Sequence, residues 1–150
     1  MLNKFKKQMK NEKGLTLIEL LAVIVIIAII AAIAIPAIGN IITNSKVNAL
    51  KADGQNILAA GNLYFTENSA ATTVTLAKLT TDGFIEDSGG FTANDATVIV
   101  TKAATGNTLA GTATSKGGAT PNIIFDGASN ADITKTGTAA GDLNNLTIAR

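Results

Sequence analysis

Lys13-Gly14-Leu15-Thr16-Leu17-Ile18-Glu19-Leu20-Leu21-Ala22-Val23-Ile24-Val25-Ile26-Ile27-Ala28-Ile29-Ile30-Ala31-Ala32-Ile33-Ala34-Ile35-Pro36 is the stretch on which the reading of this chain turns. From Leu15 to Ile38 only Thr16, Glu19 and Pro36 interrupt an apolar run. As α-helix those residues extend about 36 Å, against a bilayer hydrocarbon core of roughly 30 Å, so the segment is long enough to cross a membrane. The carboxylate near its start is costly there, about 2.5–3.5 kcal/mol at mid-bilayer and less near the interface. Two readings of Glu19 stand. In one it sits shallow among headgroups and complements the positive end of its helix. In the other it meets a positive partner in an apolar assembly.

Working outward, the residues before the run carry Lys4, Lys6, Lys7, Lys10 and Lys13 against Glu12, so residues 1–14 hold +4 and the remainder −3 of the chain's net +1. Short lysine-rich flanks are retained in the cytoplasm, which places the C-terminal portion outside. The remainder has no basic field for nucleic acid. The 150 residues include neither cysteine nor histidine. That excludes a disulfide framework and thiolate metal sites, and it removes the commonest general base and metal ligand. No P-loop, nucleophile elbow or paired-acid motif can be argued, and the expectation is a non-enzyme without cofactor or metal. Asp126-Gly127-Ala128-Ser129-Asn130-Ala131-Asp132 supplies oxygens in a glycine-containing loop but departs from EF-hand order, and reads as a solvated turn. Asn145-Leu146-Thr147 has the glycosylation pattern but falls in a predicted strand.

An ordinary secretory signal, cut near Ala32-Ile33-Ala34, is the competing account of the N-terminus. It calls for an apolar segment of about 7–15 residues, shorter than this one and without an early acid. Lys13-Gly14-Leu15-Thr16-Leu17-Ile18-Glu19, followed by the apolar helix and Pro36, instead resembles the N-terminal signature of type IV pilins and pseudopilins. The resemblance implies cleavage by a prepilin peptidase between Gly14 and Leu15, with methylation of the new terminus at Leu15. It implies that Glu19 pairs with the amino terminus of a neighbouring subunit during assembly. A contact within the same helix, between Leu15 and Glu19 four residues apart, is the alternative. Thr16 caps the first turn or bonds back to its helix. Pro36 lacks a donor and clashes with the carbonyl of Ala32, which predicts a kink or loosening there.

Beyond the membrane-length segment, Val47, Leu50, Gly54, Ile57, Gly61 and Tyr64 step by three and four residues, a one-sided stripe on an amphipathic helix. Lys46, Lys51, Asp53, Gln55 and Asn62 mostly face elsewhere. Glycine lowers helix propensity by about 1 kcal/mol relative to alanine, so Gly54 and Gly61 in the stripe predict close approach of another layer. A helix continuous from Leu15 to about Phe65 would run roughly 77 Å. Thr66 to Gly90 reads as a connector holding one short helix that begins near Leu76 and is stopped by Gly83. Candidate strands are Ala96–Lys102, Thr108–Thr114, Asn122–Asp126 and Leu143–Ala149, with turns at 105–107, 117–118 and 126–127; short spacings favour antiparallel neighbours. Their large apolar residues are too few for an independent core and must borrow the helix stripe.

The expected fold is α+β, a long N-terminal helix with a transmembrane and an amphipathic half packed on a small antiparallel sheet. The expected division is a cleaved leader at 1–14, a transmembrane and filament-core helix at 15–38, an amphipathic half at 39–66 and a head at 67–150. The resemblance implies a pilus-like filament subunit, with a pseudopilin of a secretion or DNA-uptake system as the alternative. Its implied partners are copies of itself and other pilins, the prepilin peptidase, an inner-membrane assembly platform and lipid before assembly, with nucleic acid only as cargo of an uptake pilus. The implied path leads from a single-pass precursor with its N-terminus inside to a surface filament. From other classes, a membrane-anchored surface binding protein and an exported enzyme freed by signal cleavage remain.

Overall fold

The computed structural model describes residues 17–92, 95–115, 121–137 and 145–150. Gly14, Leu15 and Thr16, the predicted turn at Gly117-Gly118 and the predicted strand start at Leu143 lie outside them. The elements in chain order are α1 (Leu17–Glu67), β1 (Thr73–Thr75), α2 (Leu76–Thr81), β2 (Ile99–Thr101), β3 (Thr108–Thr114), β4 (Asn122–Ser129), α3 (Asn130–Lys135) and β5 (Asn145–Ala149). The protein is a long helix plus a five-stranded, mostly antiparallel sheet, the α+β class expected.

The residues divide into two compact units, Met1–Asn40 and Ile41–Arg150. In the first, the described residues are the apolar part of α1. The helix continues through Pro36, so the missing donor does not end it. Large side chains here are exposed, from 46% at Val23 to 85% at Leu17. By length and composition this helix can cross a membrane.

In the second unit the distal part of α1 packs on the sheet, whose strand order is β1-β2-β3-β4-β5. The predicted stripe is the packing face: Val47, Leu50, Gly54, Ile57 and Gly61 are buried, and Leu58, Ala60 and Phe65 join them. Tyr64 is half-buried, edge-on to Phe65 at 5.9 Å and to Phe84 at 5.4 Å. Both stripe glycines mark close approaches of helix and sheet. A Cβ at Gly54 would stand 2.8 Å from Phe125 Cζ, and one at Gly61 would stand 2.7 Å from Val100 Cγ1. From the sheet side Val98, Val100, Leu109, Ile123, Phe125 and Ile148 complete one shared core. Burial alternates along β4, with Ile123 and Phe125 buried while Ile124 and Asp126 are exposed, as a strand with one covered face requires.

The short helix α2 is built from its ends. Thr75 Oγ1 accepts from Lys78 N at 3.2 Å, capping the first turn. At the other end Phe84 N donates to Leu79 O and Gly83 N to Thr80 O, with Gly83 at φ 79°: the left-handed glycine stop that the sequence predicts.

The structure corrects the sequence reading in four places. Thr66–Gly90 is not only a connector, because Thr73–Thr75 forms edge strand β1 against β2. The strand expected over Ala96–Lys102 shortens to Ile99–Thr101, since Asp95 Oδ1 accepts from Thr97 N at 2.7 Å and from Thr97 Oγ1 at 2.6 Å and turns the chain there. The strand expected over Asn122–Asp126 extends to Ser129, and the turn expected at 126–132 is instead a strand end and the start of α3. Finally, β5 runs parallel to β4, not antiparallel. Between them in the chain lies α3, so the two strands are not joined by a tight hairpin, which a parallel pair does not allow.

Candidate functional site

Of the residues singled out in the sequence, the described part of the structure holds Glu19 and Pro36. Glu19 lies in the first turn of α1, where a carboxylate complements the unpaired N–H groups and positive end of the helix. It is exposed, and its neighbours Leu17, Ile18, Leu20 and Leu21 are large apolar groups at least half exposed. An exposed apolar cylinder of this length cannot rest in water at about 25 cal/mol per Å² of apolar surface, and needs lipid or protein around it. A carboxylate at one end of such a surface becomes a register mark whenever the cylinder is covered by protein, because a charge desolvated without a partner is penalised by several kcal/mol. Pro36 sits seventeen residues along the same helix, close to the last apolar turns of this half.

The polar residues flanking the stripe, which the sequence places away from the packing face, fasten the second unit together along its margins. On one side Lys51 Nζ donates to Thr136 O at 2.5 Å and Gln55 Nε2 to Thr134 Oγ1 at 3.2 Å, holding α3 and its exit against α1. Further along, Asn107 Nδ2 donates to Asn62 Oδ1 at 2.5 Å and ties down the β2–β3 turn. On the other side Gly90 N donates to Asp53 Oδ2 at 2.8 Å. That loop lies so close to α1 that a Cβ on Gly90 would overlap Leu50. These long-range pairs leave no trace in the local pattern of the sequence. The Gly89-Gly90 pair is the one signal that could have pointed to a loop pressed on a helix.

In the oxygen-rich segment at 126–132 the Asp132 carboxylate is engaged in local structure. Ser129 N and Oγ donate to Asp132 Oδ2 at 2.9 and 2.5 Å, and Asp132 N donates to Ser129 Oγ at 3.4 Å, a reciprocal capping box that starts α3. These donations from Ser129 hold the Asp132 carboxyl below its usual range. Asp95 is lowered in the same way by the hydroxyl and amide of Thr97. Among the described residues no group of three or more acidic side chains could hold a metal ion.

Comparison with known families finds the prokaryotic N-terminal methylation motif at residues 9–35. The match spans Gly14, Leu15, Thr16 and Glu19 and ends one residue before Pro36. Neither the curated proteins nor the solved structures give a match.

Proposed function

We propose, on the premise that residues 9–35 are the class III leader of type IV pilins and pseudopilins, that this chain is the precursor of a filament-forming structural subunit. The observation that carries the reading is the exposed apolar half of α1, headed by Glu19, inside that motif. A prepilin peptidase cuts between Gly14 and Leu15, and the amine of Leu15 is methylated. The precursor is held in the cytoplasmic membrane by residues 15–38 with its N-terminus inside. Subunits then leave lipid and stack on an assembly platform, their apolar helices forming the core of a surface filament, together with other pilins. Head-to-tail contacts related by a screw rotation do not close on themselves, as an open fibre requires.

In that core the new amine, with an ordinary pKa of about 7.7–8.0, supplies the cation for Glu19 of the next subunit. Breaking a buried ion pair by removing one partner costs about 3–5 kcal/mol, enough to select one stagger of helix on helix. Thr16 supports the first turn, and Pro36 gives the helix a point at which it bends as subunits pack. The role is structural, with chemistry confined to processing of the N-terminus. The same leader serves pseudopilins, so a secretion or DNA-uptake pseudopilin is the second reading. Filaments visible on sheared cell surfaces favour the pilus subunit, and a protein confined to the envelope favours the pseudopilin.

The deciding experiment is intact-mass measurement and N-terminal sequencing of the protein from its native host. Loss of residues 1–14 together with one added methyl group is expected. A terminus near Ala34, or an uncut chain, overturns the reading.

A further inference from the structure

Lys46, Ala49 and Asp53 of α1 and Asp87, Gly90 and Ser115 of the facing loops line a cleft of about 340 Å³ on the second unit, within the range of about 300–1,000 Å³ usual for small-molecule sites. Ser115 is only 7% exposed, and among the described residues its hydroxyl has no hydrogen-bond partner; its backbone N donates to Pro121 O. A buried hydroxyl left in that state is penalised, and gains from a ligand that supplies the partner. Asp53 Oδ2 is taken by Gly90 N, which leaves Oδ1 for a donor from a ligand. Asp87 Oδ1 accepts from Gly89 N, which fixes the second carboxylate beside the cleft. Lys46 forms no ion pair among the described residues.

One ammonium and two carboxylates in so small a space select a ligand by charge. A simple anion meets both acids, and a metal ion meets Lys46 with fewer than three acidic side chains to hold it. A neutral molecule displaces water from Lys46 and Asp53 and returns no charge to either. A zwitterion pairs with both signs. Its cation is a primary ammonium, which brings three N–H donors to carboxylates; a quaternary one brings none, and no aromatic ring lines the cleft to receive it. The order of residues along the helix gives the rest. Ile42, Lys46, Ala49 and Asp53 step by four, three and four residues and so share one face of α1. Ile42 is 51% exposed, with Ile41 exposed beside it. Apolar group, cation and acid thus follow one another in the order in which an aminophospholipid presents acyl chain, phosphate and ammonium. A free amino acid makes no use of the isoleucines. From this match we infer that the cleft seats a phosphoethanolamine headgroup belonging to a phospholipid. The phosphate lies beside Lys46, the ammonium turns toward Asp53 Oδ1 and Asp87, and the headgroup gives Ser115 its missing partner. The inference rests on the reading that residues 15–38 hold the precursor in lipid, and it concerns the second unit alone.

The test is native mass spectrometry of the full chain in neutral detergent micelles, mixed with equimolar phosphatidylethanolamine, phosphatidylcholine and phosphatidylglycerol of matched acyl chains. Phosphatidylethanolamine should be retained about 5-fold or more over the other two. Lys46→Gln, at an exposed position where misfolding is not at issue, should lower retention of phosphatidylethanolamine and phosphatidylcholine alike. Asp53→Asn, which keeps an oxygen for Gly90 N, should erase the preference between those two lipids. Ser115→Ala should weaken retention of phosphatidylethanolamine about 2–5-fold. Free O-phosphoethanolamine, which carries the same headgroup without acyl chains, should be retained about tenfold less than the lipid. Equal retention of the three lipids, a preference unchanged in Asp53→Asn, or equal retention of free O-phosphoethanolamine would overturn the inference. An uncut N-terminus in the native host would overturn the proposed function without altering these ratios, and equal ratios would leave the processing result as it stands.

Discussion

Gly61→Ala is the sharpest probe of how α1 seats on the sheet. In an isolated helix the substitution stabilises by about 1 kcal/mol. Here the new Cβ would stand 2.7, 3.1 and 3.2 Å from Val100 Cγ1, Cβ and Cγ2, all inside ordinary van der Waals contact. Val100 is fully buried and β-branched, so its side chain has little room to rotate away. Overpacking of this kind costs about 1–3 kcal/mol. The strain should therefore offset the propensity gain and leave a net loss of up to about 2 kcal/mol, a drop of up to several degrees in melting temperature for a unit of this size. Val100→Ala alone should also destabilise, by about 1–3 kcal/mol, because it opens a cavity under the helix. In the double variant the added methyl occupies the space vacated by the valine, so the two costs should fall short of additive by about 1 kcal/mol or more. The chain has one tyrosine and no tryptophan, and that tyrosine, Tyr64, sits edge-on to Phe84 beside the seam. Its fluorescence during denaturant unfolding of the full chain in detergent reads the seam directly. A Gly61→Ala protein more stable than the parent, or costs that add within about 0.3–0.5 kcal/mol, would refute the close-approach account.

Glu19→Ala should insert into membrane as the parent does yet yield few filaments in the native host; normal filament yield from this variant would remove the register argument. Asp132 and Asp95 are both held below the ordinary carboxylate range in the fold, so as pH falls the unfolded chain takes up protons first. Their stabilising effect is complete above about pH 4 and disappears as pH drops through their folded values. Asp132→Asn should accordingly flatten the acid limb of a stability–pH profile, and an unchanged limb would contradict the capping role. Ser129→Ala removes the N-cap of α3 and should cost about 0.5–2 kcal/mol in the same unfolding assay, whereas Ser129→Thr, which keeps the hydroxyl, should keep most of the stability.

Much of this protein was legible in its sequence because the relevant signals are local. The run from Leu17 to Ile38 announces an apolar helix by composition and length alone, and the three-and-four spacing from Val47 to Gly61 announces a helix with one covered face. Gly54 and Gly61 went further: two poor helix formers in the middle of a packing stripe implied a close layer, and Phe125 and Val100 are that layer. The Gly83 stop of α2 was equally plain, since one left-handed residue is specified by the chain at that point.

What the tertiary structure decided is which strands meet and in which direction. Thr73-Val74-Thr75 is too short to register as a strand until β2 lies beside it. The parallel pairing of β5 with β4 follows α3, and the direction in which a strand returns cannot be read without knowing where it lands. Ser129 and Asp132 carry the spacing of a capping box, but that pattern becomes a helix start only because Ile133 finds a place in the core. Periodicity is written into neighbouring residues, and so a sequence displays it; strand order, side-chain clips such as Lys51 to Thr136, and the cleft between Lys46 and Ser115 arise from groups brought together across the chain, and only the fold brings them there.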